Sequence, residues 1–318
     1  MQTKFRAGII GCGRIAWQWD RPGKSTYNTH AKAYADHSAI ELVACADPVF
    51  SNAKGLATRY APVTPYADYT EMLLSETLDV VSICTPAALH YEVLRFILLH
   101  TPIQYIFAEK PLTTSLEQTQ TIYRLARKNG VYIALNYYRR FDETLQRVQQ
   151  VIADRTLGNL CFGRVLYYGG IKENAIHLLD LLEYFGFTIH GMTAKRELSL
   201  LHDDQGGTFV VCTKKGATID FKWFEKKQYG YLEMDLFFDT GRIRIGDYSE
   251  TEIFVAAPSK NFPGYHDLQV GHTYPSTVCT VMKYAVSDLI QRMKTHTIDY
   301  HFLERELRLM KHIHKMIS

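Results

Sequence analysis

The sequence predicts an α/β chain of two domains. The first is a doubly wound parallel sheet, and the second an α+β domain on an open, largely antiparallel sheet. Three observations predict this. The chain has 318 residues, and at ~150 residues per domain that length implies about two domains. Up to Asn136, short apolar runs alternate with helical patterns, which is the rhythm of β-α-β units covered on both faces. Beyond it, strand-like runs follow one another across short Gly-containing turns, as antiparallel neighbours do. The expected domains are therefore 1–136 and 137–318.

In the first domain the apolar runs place strands at 5–10, 40–46, 80–84, 105–108 and 131–135. Helical spacing places helices near 30–35, 52–60, 69–74, 89–99 and 116–129. Thr114 with Glu117, or Ser115 with Gln118, makes a capping box, and Gly130 stands where a C′ glycine ends a helix. In the second domain a helix at 146–153 precedes a strand at 160–168 and a helix at 176–185. Strands then follow at 208–213, 217–223, 231–238, 242–245 and 252–255, punctuated by Gly206-Gly207, Lys215-Gly216 and Thr240-Gly241. Two helices close the chain. Val278, Val281, Met282, Ala285, Val286, Leu289, Ile290 and Met293 share one face of the first. The last, about 302–317, turns Leu303, Leu307, Met310 and Ile317 inward, and its packing on the first domain is left open.

Composition narrows the function. Hydrophobic residues are 47% and charged residues 22%, which excludes a disordered chain. Lys and Arg number 36 against 33 Asp and Glu, a net charge of +3, too small a bias for nucleic acid or an anionic membrane. No apolar run approaches the ~18 residues of a membrane span. The stretch 7–10 is too short for a secretory signal, and Lys315-Met316-Ile317-Ser318 carries no lipidation motif, so a cytoplasmic protein is expected. The six cysteines form no C-x-x-C pair and no histidines show ligand spacing, so no metal is expected. Cys45 and Cys84 sit in apolar runs, as small buried hydrophobes of a reducing compartment do.

The chemistry begins at Gly11-Cys12-Gly13-Arg14-Ile15-Ala16, directly after the first strand. This is the G-x-G-x-x-A fingerprint of a Rossmann dinucleotide-binding turn. Gly11 permits the tight turn, Gly13 lets the backbone approach a pyrophosphate, and Ala16 is small enough for close helix packing. The phosphates then meet free N–H groups at a helix N-terminus. Asp47 ends the second strand, where a carboxylate accepts hydrogen bonds from the adenosine ribose and repels a 2′-phosphate, which favours NAD over NADP. Gly13 and Asp47 are farther apart than the usual ~20 residues. An inserted loop over 17–29, containing Pro22 and Gly23, accounts for the excess.

Three segments follow at predicted strand ends, where open parallel sheets gather ligands. They are Cys84-Thr85-Pro86-Ala87-Ala88-Leu89-His90, Glu109-Lys110-Pro111 and Asn136-Tyr137-Tyr138-Arg139-Arg140-Phe141. With the fingerprint, and most specifically through Glu-Lys-Pro after an apolar strand, the whole chain resembles the Gfo/Idh/MocA oxidoreductases, the glucose–fructose oxidoreductase and inositol dehydrogenase group. The resemblance implies a Rossmann domain and a substrate domain whose sheet often mediates oligomers, hence a homodimer or homotetramer. It implies hydride transfer between NAD(P) and a secondary alcohol or ketone of a sugar, nucleotide sugar or cyclitol. Dinucleotide contacts are implied for Arg14, Ile15, Thr85, Pro86, His90, Glu109, Lys110 and Asn136. The family lysine maps onto Lys110, and its substrate-domain histidine onto His177 in Ile176-His177-Leu178-Leu179-Asp180. Where the family often has an aspartate, four residues before that histidine, this chain has Glu173; Glu173 or Asn174 has to take its role.

The residue types suit the reaction. Oxidising a secondary alcohol removes the hydroxyl proton as hydride leaves the carbon. An imidazole of near-neutral pKa is a suitable general base, and an ammonium stabilises the developing alkoxide. His177 is therefore assigned as base and Lys110 as the oxygen-polarising group, the reverse remaining open. Taken without the resemblance, His177 reads as an ordinary histidine at a helix start. His90 reads equally as a helix cap and as a neighbour of the nicotinamide, and Asp180 orients His177 or only caps.

Residues 29–34, 136–141 and 174–182 look most like a branch found in bacterial surface-sugar biosynthesis, which implies a nucleotide-activated or acidic amino sugar. Expected substrate contacts are Lys110, Tyr138, Arg139, Asn174, His177 and Trp17, with Trp19, Asp20 and Arg21 of the inserted loop beside them. Arg139 and Arg140 suit a phosphate or carboxylate, which a guanidinium grips with two parallel bonds, or a structural salt bridge. Two alternatives come from other classes. One is a non-catalytic dinucleotide-sensing regulator, against which the presence of both Lys110 and His177 argues. The other is an NAD-dependent glycosidase, which would cleave a nitrophenyl glycoside without net NADH.

Overall fold

The computed structural model describes residues 4–20, 28–195, 198–201, 204–225, 229–246 and 249–318. The chain divides into two compact units. One runs up to Phe141 and includes Cys279–Met310; the other comprises Asp142–Val278 with Lys311–Ser318.

The first unit is built on six parallel strands: β1 (Phe5–Ile10), β2 (Ile40–Ala46), β3 (Thr64–Tyr66), β4 (Val80–Ile83), β5 (Tyr105–Ala108) and β6 (Tyr132–Leu135). Their order is β3-β2-β1-β4-β5-β6. The order reverses between β1 and β4, and at such a switch point the carboxyl ends of the strands open a crevice. Every residue of β4, β5 and β6 is buried, as in a sheet covered on both faces. The covering helices are α1 (His30–Ala35), α2 (Phe50–Arg59), α3 (Tyr69–Ser75), α4 (Ala87–His100) and α5 (Leu116–Asn129). Of the two capping boxes, the chain uses the second. The Ser115 hydroxyl accepts the Gln118 N–H at 3.2 Å, and Gly130 ends α5 in the left-handed region at φ 66°.

Sequence spacing did not anticipate β3, a three-residue edge strand carrying Pro65. The boundary after Asn136 also differs from the division observed. Met282, Ala285, Val286, Leu289, Ile290 and Met293 of α8 (Val281–Lys294) pack into one core with Ala7 and Ile9 of β1 and Phe107 of β5. Their apolar stripe returns to the first unit from far down the chain, which no local pattern reveals.

The second unit is built on eight strands in the order β16-β15-β14-β13-β7-β12-β11-β8. The ranges are β7 (Leu160–Tyr168), β8 (Ile189–Ala194), β11 (Phe209–Thr213), β12 (Thr218–Phe224), β13 (Glu233–Phe238), β14 (Gly241–Gly246), β15 (Thr251–Pro258) and β16 (His266–Tyr274). A separate two-stranded ribbon pairs β9 (Ser199–Leu201) with β10 (Asp204–Gly206). All pairs of the large sheet are antiparallel except β7 with β12. The sheet is therefore mixed at its centre, because the chain leaves β7 through α7 (Ile176–Tyr184) before its strands return. Strand β16 was not anticipated; eight of its nine residues are exposed, so it shows no alternation of burial. Among the described residues no helix is long and apolar enough to cross a membrane.

Helix α6 (Glu143–Ala153) starts earlier than its apolar spacing suggested, because Asp142 caps it. Its carboxylate accepts the N–H groups of Thr144 at 2.8 Å and Leu145 at 3.2 Å, and that of Thr277 at 3.0 Å. We expect Asp142→Ala to cost about 1–2 kcal/mol of stability and Asp142→Asn to recover most of it. An unchanged urea midpoint in the alanine variant would show that the cap carries no weight.

Candidate active site

The fingerprint turn leaves β1 with Gly11 at φ +86°. A Cβ there would lie 2.8 Å from the Cys84 carbonyl carbon and the Thr85 nitrogen, so the turn and the end of β4 touch backbone to backbone. Gly13 is the opposite case: a Cβ there meets no atom within 4 Å. It faces open space, as a backbone that cradles a pyrophosphate must. Asp47 ties the turn to β2. Its Oδ2 accepts the Cys12 N–H at 2.8 Å and its Oδ1 the Val49 N–H at 2.8 Å. A carboxylate has about four acceptor positions, so capacity for a ribose hydroxyl remains.

The helix expected to open at the fingerprint is a five-residue wide turn, Arg14–Gln18, closed by the Trp19 N–H on the Arg14 carbonyl at 3.1 Å. Among the described residues, regular helix first appears at His30. Arg14 is exposed, Ile15 half-buried and Ala16 fully buried. Trp17, expected at the substrate, turns to the Rossmann core instead. Its indole N–H donates to the Cys12 carbonyl at 2.8 Å, and its ring lies over Gly55, where a Cβ would come within 2.9 Å of it. It supports the fingerprint from behind. Trp19 is exposed, Asp20 accepts the Thr29 hydroxyl, and Arg21 lies outside the described residues.

The Glu109-Lys110-Pro111 segment leaves β5 with a cis Lys110–Pro111 bond. The Glu109 side chain is only 13% exposed. Its Oε1 accepts the Asn136 amide at 2.6 Å and lies 3.0 Å from His30 Nε2. The other ring nitrogen of His30 is 2.9 Å from Ser82 Oγ, which also pairs with the Tyr34 hydroxyl at 2.7 Å. Burial alone would raise the Glu109 carboxyl. The His30 and Asn136 contacts and the Lys110 charge outweigh it and hold the carboxyl below the ordinary range. Lys110, half-buried, starts from this anchored carboxylate.

His90 is buried in the first turn of α4, and its nitrogens lie 2.8 Å from the Pro111 carbonyl and 2.9 Å from the Thr85 carbonyl. Both nitrogens are thus engaged by backbone. His90 thus stands between two strand-end turns, those of Thr85 and Pro111. Pro86 is exposed at the start of α4. Thr85 Oγ1 and Asn136 Oδ1 are buried and meet no hydrogen-bond partner among the described residues. Leaving such atoms unpaired is costly. Two polar orphans past the ends of β4 and β6, with the open space at Gly13, fit a polar dinucleotide.

Arg139 and Arg140 are both buried. Arg139 lies 4.9 Å from the half-buried Tyr138 ring, and Arg140 lies over the Tyr137 and Phe302 rings at 5.4 and 4.9 Å. Arg140 is thereby built into the interior and unsuited to gripping a substrate anion.

In the second unit, His177 is buried in the first turn of α7, and Asp180 is buried one turn on. A wide turn, Ile171–Ala175, leads into α7. Glu173 on it is exposed, and its N–H donates to Asp204 Oδ2 at 2.9 Å. The Asn174 amide donates to the Tyr168 carbonyl at 2.9 Å, which shapes the turn. Asp204, held above the ordinary carboxyl range by burial, caps this segment from β10. Sequence reasoning missed His30, Ser82 and Asp204. Only His30 left a signal, as a polar residue among the alanines of a short helix.

Residues 5–137 match Gfo/Idh/MocA, an oxidoreductase family with an NAD-binding Rossmann fold. The matched stretch holds the six parallel strands β1–β6 of the first unit. It is 31% identical over 163 residues to the D-glucoside 3-dehydrogenase of Escherichia coli K12, covering 50% of this chain and 42% of that protein. It is 24% identical over 247 residues to the inositol 2-dehydrogenase of Salmonella typhimurium LT2, covering 71% of this chain and 69% of that one. The first of these matches spans less than half the length of the relative. A 3-ketoreductase from Actinomadura kijaniata, in complex with NADP and TDP-benzene, shares the fold: TM-score 0.78, 18% identity, 99% of this chain and 98% of that one. The fingerprint, Asp47 and the Glu109-Lys110-Pro111 turn all lie within the matched residues.

Two outcomes are expected. Gly13→Val should leave thermal stability unchanged and weaken NAD binding at least about tenfold, ~1.4 kcal/mol, by calorimetry; unaltered affinity would mean the open space does not serve the dinucleotide. Glu109 has a folded value below its unfolded value of about 4.3, so its contribution is present above that pH and is lost as pH falls through the folded value. Glu109→Gln should therefore be less stable than wild type near neutrality, and the gap should close in acid, as read by urea midpoints across pH.

Proposed function

We propose that the protein is an NAD-dependent oxidoreductase acting on a secondary alcohol or ketone of a sugar, nucleotide sugar or cyclitol. The observation that carries this reading is the buried Glu109 node, which presents Lys110 at the carboxyl end of β5 in an NAD-binding domain. When bound, the dinucleotide supplies the hydride acceptor in oxidation and the donor in reduction. Gly13 and the turn that follows it would hold its pyrophosphate, with Thr85 and Asn136 offering polar contacts. Asp47 accepts the ribose hydroxyls and repels a 2′-phosphate, which favours NAD. The Lys110 ammonium holds the negative charge that develops on the substrate oxygen. His177 removes the hydroxyl proton as general base and returns it in the reverse direction.

Glu173 is exposed, so a part in orienting His177 requires it to turn inward on substrate binding. Tyr138 and Arg139 remain the substrate contacts we favour beside β6. The names of the relatives, a glucoside dehydrogenase, an inositol dehydrogenase and a ketoreductase crystallised with a TDP compound, support a polyhydroxylated substrate. We extend the proposal to a cytoplasmic homodimer or homotetramer, for which six free thiols and size-exclusion chromatography are the support and the check.

The test is an absorbance screen at the NADH band, with NAD and NADP, over free sugars, cyclitols and nucleotide sugars. Reduction of NAD by at least one of these is expected. Lys110→Ala and His177→Ala should each cost ~10²–10⁴-fold in turnover and leave NAD affinity nearly unchanged. Wild-type rates in either variant would overturn its role, and silence across the whole panel would overturn the activity.

A further inference from the structure

Helix α9 (His301–Ile317) buries Phe302, Leu303, Glu306, Leu309, Met310 and Ile313. One member of that stripe is a glutamate, and it is fully buried. A leucine would fill the position without the desolvation cost of a carboxylate, so the carboxylate's gain lies in what it holds. Its Oε1 accepts the Leu112 N–H at 3.1 Å across 194 residues of sequence. Its Oε2 accepts the Tyr137 hydroxyl. Leu112 is two residues beyond Lys110, on the turn that Glu109 anchors from the other end. The charges facing Glu306 are those of Lys110 and Arg140, and Arg305 joins Arg140 in facing Tyr137. Burial pushes the Glu306 carboxyl above its ordinary range, against the pull of the Tyr137 and Leu112 donors and of the Arg140 and Lys110 charges.

We propose that Glu306 is a positioning residue for the reaction: it fixes the Lys110-Pro111-Leu112 turn through the Leu112 amide and so places the Lys110 side chain. The inference rests on the role of Lys110 proposed above. Glu306 acts through Lys110.

The experiment reads Lys110 directly. The full-length protein, with NAD bound, is reductively methylated with ¹³C, and the Lys110 resonance is assigned by its loss in Lys110→Arg. In Glu306→Leu, which removes the acceptor of the Leu112 amide, the Lys110 resonance should move from its wild-type position. With the alcohol found in the screen, kcat should fall by up to ~100-fold, and NAD affinity should hold. Glu304→Gln, exposed on the same helix, should match wild type in both. Glu306→Asp draws the carboxylate back from Leu112, and should show smaller changes in the same directions. A wild-type resonance and kcat in folded Glu306→Leu would overturn the proposal. If that variant does not fold, the same result in Glu306→Asp would do so. Lys110→Ala at wild-type rate sinks the role of Lys110, whereas inactive Lys110→Ala beside wild-type rates in Glu306→Leu sinks only the role of Glu306.

Discussion

The carboxylate of Glu109 must be solvated by protein, because its side chain is mostly withdrawn from water. That demand organises the first unit. The donors come from elements far apart in sequence, His30 on α1 and Asn136 after β6, and Ser82 on β4 steadies His30 in turn. Helix α1 and the segment after β6 thereby meet one atom, Oε1 of Glu109, with β4 one contact behind them. Lys110 follows directly, and its position is inherited from a network in which the members constrain one another. On the far side of the turn His90 grips the Pro111 carbonyl, and Glu306 the Leu112 amide. The segment carrying Lys110 is thus held before and after that residue, which limits the geometries the side chain can sample.

The fingerprint region follows a complementary logic. Gly11 is required because two backbones meet there, and Gly13 because nothing does. The first glycine closes the scaffold and the second leaves space for a ligand. Asp47 is spent partly on the turn itself, so the group expected to recognise the ribose also holds the loop in shape. Trp17 adds support from below. Among the described residues, a short wide turn and not a long helix follows Gly13.

In the second unit the same economy is reached by burial. Every residue from Ile176 to Leu182 is buried, so α7 is fixed on all sides and His177 has little freedom. Asp204, from a small ribbon, satisfies the amides of the turn that enters this helix. Glu173 on that turn is exposed, and the half-buried carboxylate that meets its amide, Asp204, comes from a ribbon that local spacing could not point to.

Most strands and helices of the first unit, the fingerprint, Asp47 and the Glu-Lys-Pro segment were legible in the amino acids, because each depends on neighbours within a few positions. Alternation of apolar runs, a glycine at a required turn and a serine three residues before an unsatisfied amide are local signals. The return of α8 to the β1 core, the parallel pairing of β7 with β12, the clamp at His90, the inward turn of Trp17 and Arg140, and the carboxylates of Asp204 and Glu306 were set by contacts between segments tens to hundreds of residues apart. A buried polar group is stable only where distant partners meet it. Its identity can be read along the chain, but its partner becomes visible only when the chain has folded back on itself.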